Sequence, residues 1–259
     1  MADTAPPPPS PLPMIGTVTL AELFISLGAG WRDFRRAPMF GLFFSGFYVL
    51  IGLGLVLFGA GTVAWTLMTS LGFPLIAPFA AVGLYEVSRR LEDDEPLDWR
   101  AILGVVAAER RRQIPWLGAI FVIYFLFWSF LAHMIFALFM GLTVMTNVSS
   151  SMDAFLTPNG LTMVAVELAV GAVFAFVLFA LTVVSLPLLL EREIDFISAM
   201  LLSFAMVRRN LLVMLVWAAI IAGLLFLGMV PYFLGLLIVL PVLGHATWHL
   251  YRRALYDPV

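Results

Sequence analysis

Three histidines are the residues of this chain best suited to bind a metal or a haem. His245 and His249 are four positions apart, a spacing that places both imidazoles on one face of a helix, and imidazole is a common metal ligand. His133 stands alone in an apolar segment. No carboxylate or thiol accompanies the pair in sequence, and hydrogen bonding between helices or to lipid headgroups is the alternative role. We predict no cofactor and no metal site, and keep His245 and His249 as the candidates for cofactor binding.

Glu167 is the most unusual ionisable residue, because it lies about two turns inside a long apolar segment. An ionisable side chain in a bilayer is costly, which favours a functional role. Glu167 is therefore a candidate for a proton-linked or cation-contacting group within the membrane, as is His133 for an intramembrane function. The alternative is a carboxyl group that stays protonated or lies close enough to the surface to reach water.

The motifs of common catalytic sites are absent from the sequence. The chain has no cysteine, which excludes disulfides, thiol catalysis and iron–sulfur clusters. It also lacks a phosphate loop, a dinucleotide fingerprint, a His-Glu-x-x-His zinc motif and a serine nucleophile elbow. We therefore predict that the protein is not an enzyme.

The composition predicts a membrane protein. Of 259 residues, 63% are hydrophobic and 12% are charged, whereas a typical soluble domain is about half apolar and about one quarter charged. The excess of apolar side chains needs lipid around it. The net charge of -2 gives no reason to expect nucleic acid as a partner.

Six segments are long and apolar enough to be transmembrane helices, which need about 20 residues each. They predict an all-α polytopic membrane protein. The segments are residues 39–60, 73–88, 114–145, 161–190, 211–229 and 232–251. Residues 1–16 are rich in proline and predict an extended, disordered leader, which leaves residues 17–259 as a single six-helix membrane domain.

The positions of the arginines predict the orientation of these spans. All fourteen basic residues are arginines, and short cytoplasmic loops keep basic residues whereas translocated loops lack them. The loops at residues 61–72, 146–159 and 228–231 contain no arginine and one acid, Asp153. We therefore predict a multi-pass protein of the bacterial inner membrane with both termini in the cytoplasm.

A pattern of charges occurs three times along the chain. In each copy an acid is followed thirteen residues later by a pair of arginines, directly before an apolar segment. The three copies are Glu22 with Arg35 and Arg36, Asp98 with Arg111 and Arg112, and Asp195 with Arg208 and Arg209. The pattern predicts an internal repeat with units at about residues 20–95, 96–193 and 194–257.

Each unit is predicted to be an interfacial helix followed by a transmembrane hairpin. The segment between acid and arginines is about four helical turns long, and its terminal charges complement the helix dipole. Its mixture of apolar and charged side chains suits the headgroup region. The second span of each hairpin contains a proline, Pro78, Pro187 or Pro241. The arginine pairs then form a cytoplasmic interface.

Residues 72–103 resemble a known family. The stretch Leu84 to Glu92 reads LYEVSRRLE, and an Asp-Trp pair follows it at Asp98 and Trp99. These features are similar to a bacterial family of predicted integral membrane proteins, the domain of unknown function 2189. Some members of that family are labelled as cytochrome c oxidase proteins. The resemblance therefore implies an association with a respiratory complex.

Two functional hypotheses follow from these patterns. The first is a non-catalytic membrane protein that binds other membrane components, such as an accessory or assembly subunit of a cytochrome oxidase-type complex. Its partners are then the lipid bilayer and another membrane protein or complex, or a second copy of itself in a homo-oligomer. The alternative is a small transporter or channel that uses Glu167 in a proton- or cation-linked role.

Overall fold

The computed structural model describes residues 12–58, 73–109, 111–141 and 155–256. Most of the predicted leader, the predicted loop at residues 61–72 and Asp153 lie outside the described residues. The described chain is almost entirely helical. Its helices are α1 Leu20–Arg36, α2 Pro38–Phe58, α3 Phe73–Glu92, α4 Trp99–Glu109, α5 Ile114–Met140, α6 Pro158–Thr182, α7 Ser185–Glu191, α8 Phe196–Arg209, α9 Leu211–Met229 and α10 Leu236–Ala254.

Two short strands bring the ends of the described chain together. Strand β1, Met14–Ile15, pairs antiparallel with β2, Leu255–Tyr256. The Gly16 N–H donates a hydrogen bond to the Ala254 carbonyl at 2.8 Å and extends this pairing. The N-terminal and C-terminal segments therefore lie at the same end of the molecule.

The acids of the repeated charge pattern lie at helix N-termini, as the pattern predicts. Thr19 and Glu22 form a capping box at the start of α1. Asp98 and Asp195 each accept a hydrogen bond from the backbone N–H three residues further on, at 3.0 and 2.8 Å. These acceptors satisfy N–H groups that a helix leaves unpaired at its start, and their negative charge favours that end of the helix dipole.

The arginine pairs end two of these helices but not the third. Arg35 and Arg36 are the last residues of α1, and the pair at residues 208–209 ends α8. Helix α4 instead ends at Glu109, so Arg111 and Arg112 lie in the turn that precedes α5. The predicted helix of the second copy is therefore shorter than its counterparts.

Helices α1 and α2 form a sharply bent pair. Their axes differ by 101° across the break at Ala37. Pro38 opens α2, where its missing N–H costs no hydrogen bond and its fixed φ suits a first helical position. A helix lying across the start of the next one is the arrangement expected for an interfacial helix before a span.

Three helical segments in the described part of the chain are long and apolar enough to cross a membrane. They are α5, α6 together with α7 over Pro158–Glu191, and α9; the bent pair Leu20–Arg36 and Pro38–Gly54 would make a fourth. The sequence predicts six spans, and the remaining assignments stay predictions. Helices α3 and α10 are less apolar because both carry arginines in their last turn and α10 also contains His245 and His249.

The predicted fourth span is broken close to its proline. Helix α6 ends at Thr182 and α7 begins at Ser185, two residues before Pro187. A proline clashes with the carbonyl four positions earlier, here that of Val183, and removes a backbone donor. Pro78 and Pro241 lie inside α3 and α10, which continue past them.

Helix α10 lies at the centre of the packed core. Trp248 and Leu250 are fully buried, and α10 packs against α1, α2 and α3. Its contact with α1 is so close that a Cβ added to Gly30 would lie 2.5 Å from the Val242 carbonyl oxygen and the Ala246 nitrogen. Glycine at position 30 is therefore a requirement of this helix pair.

Helix α5 contrasts with α10 because the described part of the chain fully buries few of its residues. Only 6% of its apolar 18-residue window is buried, against 44% for the window in α6 and α7. Phe127, Phe130 and Leu138 are among its exposed side chains. This apolar surface needs lipid or another protein around it.

Candidate functional site

A buried polar network joins α1, α3 and α10. The Ser88 hydroxyl donates to Asp33 Oδ2 at 2.9 Å and lies 2.8 Å from His245 Nδ1. His249 Nε2 lies 2.7 Å from the same Asp33 oxygen. The network thus links Asp33 of α1, Ser88 of α3 and two histidines of α10.

The acceptor-only chemistry of a carboxylate fixes the direction of these bonds. An ionised Asp33 can only accept, so both Ser88 and His249 donate to it. Because the one hydroxyl proton of Ser88 is used there, His245 Nδ1 carries a proton and donates to the Ser88 oxygen. The arrangement differs from the triad of serine hydrolases, in which histidine lies between serine and aspartate. Here the serine lies between the other two.

The side chains of this polar network are largely buried. Ser88 and His245 are fully buried, and Asp33 is 6% exposed. Buried polar groups are nearly always hydrogen-bonded, because an unpaired one keeps its full desolvation cost. The network therefore fixes how α1, α3 and α10 pack together.

Long-range contacts supply what the histidine pair lacks in sequence. Sequence neighbours offer His245 and His249 no carboxylate, whereas the fold brings Asp33 to them from more than 200 residues away. Sequence spacing alone therefore could not name Asp33 as the partner of this pair. The one local signal is Asp33 itself, an acid among the arginines of α1. Within the described residues, no group of three histidine, cysteine or acidic side chains is placed to hold a metal ion.

A second polar feature is a cavity of about 460 Å³ lined by charged side chains. We call it the charged cavity. The cavity lies between the last turns of α3, α4, α7 and α10. Its charged lining consists of Glu86, Arg89, Glu92, Asp93, Glu109, Arg112, Glu191 and Arg252.

Ion pairs at the end of α3 surround Glu86, which lines the charged cavity. Arg89 Nε lies 2.9 Å from Glu86 Oε2, and Arg90 Nε lies 2.7 Å from Glu86 Oε1. The spacings of three and four residues make these partners neighbours on a helix, so this pairing was predictable from sequence. Glu86 is buried and is balanced by two guanidinium groups.

Contacts between helices form another part of the lining. Arg252 of α10 lies 2.6 Å from Glu191 of α7 and 3.4 Å from Glu92 of α3. The Trp248 indole N–H donates to Glu92 at 2.9 Å, and the Tyr251 hydroxyl donates to Glu191. The ends of α3, α7 and α10 are thereby tied together through charged groups.

Glu109 lines the charged cavity, and only part of its hydrogen-bonding capacity is used. Its side chain forms an ion pair with Arg112, but Oε2 has no hydrogen-bond partner among the residues that the structure describes. Glu109 is 2% exposed, and burial raises the pKa of its carboxyl group, although Arg112 opposes this effect. A carboxylate oxygen that is buried without a donor costs free energy.

Comparison with known proteins identifies the central part of the chain. The family model described as "Predicted integral membrane protein (DUF2189)" matches residues 65–191. This part of the chain belongs to the DUF2189 family. The match confirms the resemblance at residues 72–103, and the protein is an integral membrane protein with several apolar helices. No curated protein and no solved structure matches the chain.

The DUF2189 region supplies α3 to α7 and most of the charged cavity. Trp248 and Arg252 come from outside the matched residues, as do Asp33, His245 and His249 of the polar network. Both features therefore depend on α10 packing against the DUF2189 region.

The two intramembrane candidates within the DUF2189 region lie apart from both features. Glu167 is half-buried on α6, and no hydrogen bond or ion pair joins it to the described residues. His133 is exposed on α5, and its Nδ1 lies 2.7 Å from the Ser129 carbonyl of the same helix. Within the described residues, neither Glu167 nor His133 belongs to a cluster of polar side chains.

The arginine pairs are mostly exposed. This applies to Arg35, Arg36, Arg111, Arg208 and Arg209. Arg112 differs, because it is half-buried and bound to Glu109 and Glu193. Five of the six arginines predicted to form an interface are thus accessible to headgroups or to a partner.

Proposed function

We propose that this protein is a non-catalytic integral membrane protein that binds other membrane components. In this proposal six helices cross the bilayer as three hairpins, each preceded by an interfacial helix, and both termini are cytoplasmic. The pairing of β1 with β2 supports the last point, because it holds both ends at one end of the molecule.

The exposure of α5 is the observation that carries the proposal. A transmembrane helix enclosed by its own chain buries one face, whereas only 6% of the α5 window is buried. Phe130 is 67% exposed and Phe127 59% exposed, and aromatic side chains contribute strongly to interfaces. Close packing with another helix would stabilise this surface beyond what fluid lipid provides.

The partner that we propose is a membrane protein of a respiratory complex, for which this chain is an accessory or assembly subunit. The exposed arginine pairs support an interface on the cytoplasmic side, where they can also bind anionic headgroups. A second copy of the chain is the other candidate for the surface of α5.

Co-purification tests this proposal. We expect a respiratory complex, or a second copy, to be retained when the protein is purified from native membranes in mild detergent. Replacing Phe127 and Phe130 by alanine should reduce the retained partner several-fold. Leu212→Ala on α9 is the control, because it removes a more exposed apolar side chain elsewhere. A monomer that retains no stoichiometric partner would contradict the proposal.

The second candidate function is a proton-linked transporter or channel. It is favoured by the buried hydrogen-bonded chain from His249 through Asp33 and Ser88 to His245. Such chains can carry protons through a protein interior. Glu167 is the further ionisable group that this function would use. Proton flux into liposomes that falls in both Asp33→Asn and Glu167→Gln would support it, whereas flux equal to that of empty liposomes would exclude it.

A further inference from the structure

The charged cavity has an excess of negative charge. Five carboxylates and three guanidinium groups line it, which leaves a formal excess of two negative charges. Its volume of about 460 Å³ lies within the range of about 300–1,000 Å³ that is usual for small-molecule sites. The cavity is therefore large enough, and charged appropriately, for a small cation.

The three arginines of the lining already have acidic partners. Arg89 binds Glu86 and Asp93, Arg112 binds Glu109 and Glu193, and Arg252 binds Glu191 and Glu92. The relevant N···O distances, apart from the close Arg112–Glu109 pair, are 2.5–3.4 Å. These guanidinium groups are engaged, so the cavity does not favour an anion.

Glu109 provides a free acceptor in this lining. Its Oε2 is buried, and no hydrogen-bond donor reaches it from the described residues. The terminal torsion of a glutamate is broad, so a small rotation can turn this oxygen toward a ligand while the other oxygen stays near Arg112. A positively charged N–H donor would form a charge-assisted hydrogen bond there.

We infer that the charged cavity binds a small organic cation that carries ammonium or guanidinium N–H groups, with the Glu109 carboxylate as its anchor. An inorganic divalent cation fits less well, because it needs several oxygen ligands at once and no suitable group of three exists among the described residues. This inference is independent of the membrane partner proposed above.

Calorimetric titration of the purified full-length protein with 1,4-diaminobutane tests the inference. This probe carries two ammonium groups, which match the excess charge of the cavity. We expect saturable binding with one site per chain. Glu109→Gln should weaken binding by about tenfold or more, because it replaces a charged acceptor by a neutral one.

Two further variants make the result specific. Ala108→Trp places a bulky side chain at an exposed position of the cavity wall and should also weaken binding, without changing a charge. Asp94→Asn removes a nearby exposed acid that does not line the cavity and should change affinity less than twofold. Asp94 has a φ of 52°, a conformation that asparagine tolerates well. If Glu109→Gln does not fold, Ala108→Trp decides the outcome.

Neutral and inorganic probes distinguish binding at a specific site from nonspecific electrostatic attraction of cations. 1,4-Butanediol has the same chain length without charge and should not bind, and magnesium chloride should not compete at equal ionic strength. The inference is overturned if diaminobutane does not bind saturably. It is overturned equally if magnesium competes as well as the diamine, or if every folded variant binds like the wild type.

Discussion

Ser88 holds the buried polar network together because its single hydroxyl serves two helices at once. It donates to Asp33 of α1 and accepts from His245 of α10. No other side chain of the network contacts both of these residues through one atom. Removing this oxygen would leave both a buried imidazole N–H and part of a buried carboxylate without their partner, in a place that water does not reach.

We therefore expect Ser88→Ala to destabilise the protein by about 1–3 kcal/mol, the cost of leaving buried polar groups unpaired. The apparent Tm of the detergent-purified protein should fall by several degrees. Ser26→Ala is the control, because Ser26 is also fully buried but its hydroxyl has no hydrogen-bond partner in the described part of the chain. It should leave Tm unchanged or raise it. Equal losses in the two variants would show that the network does not contribute.

Residue roles were predictable from sequence only where partners are close along the chain. Arg89 and Arg90 lie three and four residues from Glu86, and helix geometry alone pairs them. Asp33 and His249 are separated by 216 residues, so no local pattern connects them. The unpaired oxygen of Glu109 was equally hidden, because it depends on which side chains pack around α4.

At the scale of elements, the close approach of α1 and α10 is the contact most sensitive to volume. Gly30→Ala places a Cβ against the backbone of α10 at 2.5 Å, so the helices must move apart at a cost of about 1–3 kcal/mol. Thermal unfolding in detergent measures this loss. Gly28→Ala, two residues away, meets nothing closer than an Arg32 side-chain atom at 3.8 Å. It should gain about 0.5–1 kcal/mol from helix propensity. A loss in Gly28→Ala as large as that in Gly30→Ala would contradict this account.

The N-terminus of α8 gives a pH-dependent prediction. Hydrogen bonds from the Ser198 hydroxyl and N–H lower the pKa of Asp195, so its ionised form stabilises the fold above the unfolded pKa. That stabilisation is lost as pH falls through the lowered folded pKa. Asp195→Ala should cost about 1 kcal/mol at pH 7. Asp195→Asn keeps a capping oxygen without a charge, so the wild type should lose stability relative to it below about pH 4. Parallel melting curves across pH would contradict the assignment.

Helices were more predictable than their interruptions. The predicted span at residues 211–229 coincides with α9, Leu211–Met229. An uninterrupted apolar run in lipid forms a helix, because a helix pairs the backbone polar groups within the segment. The predicted fourth span is split into α6 and α7, although all three prolines look alike in sequence. Burial does not explain the difference, because all three prolines are buried. The helices that contain Pro78 and Pro241 continue past them, whereas the fourth span breaks next to Pro187.

At the scale of the whole molecule, the charges are organised around one end. The last turns of α3, α7 and α10 meet at the charged cavity, and the β1–β2 pair brings both ends of the described chain together. The hairpin topology proposed above would produce this arrangement, since each second span then returns to the side from which the first one started. In the proposed topology, six spans place the arginines, the cavity and the termini on one side of the bilayer, whereas three spans would put the two termini on opposite sides.

Labelling of single cysteines tests the six-span topology. Because the chain has no native cysteine, each variant is labelled only at the introduced position. If all six segments cross, cysteines at Thr66, Leu156 and Tyr232 should react with an impermeant maleimide in intact cells. Cysteines at Thr4, Asp94 and Asp257 should react only after the membrane is opened, because they lie on the arginine side. Labelling of Thr4→Cys and Asp257→Cys in permeabilised cells is the control for reactivity. Protection of Thr66→Cys in intact cells would show that the first predicted hairpin does not cross the membrane. Protection of Tyr232→Cys would show the same for the last hairpin.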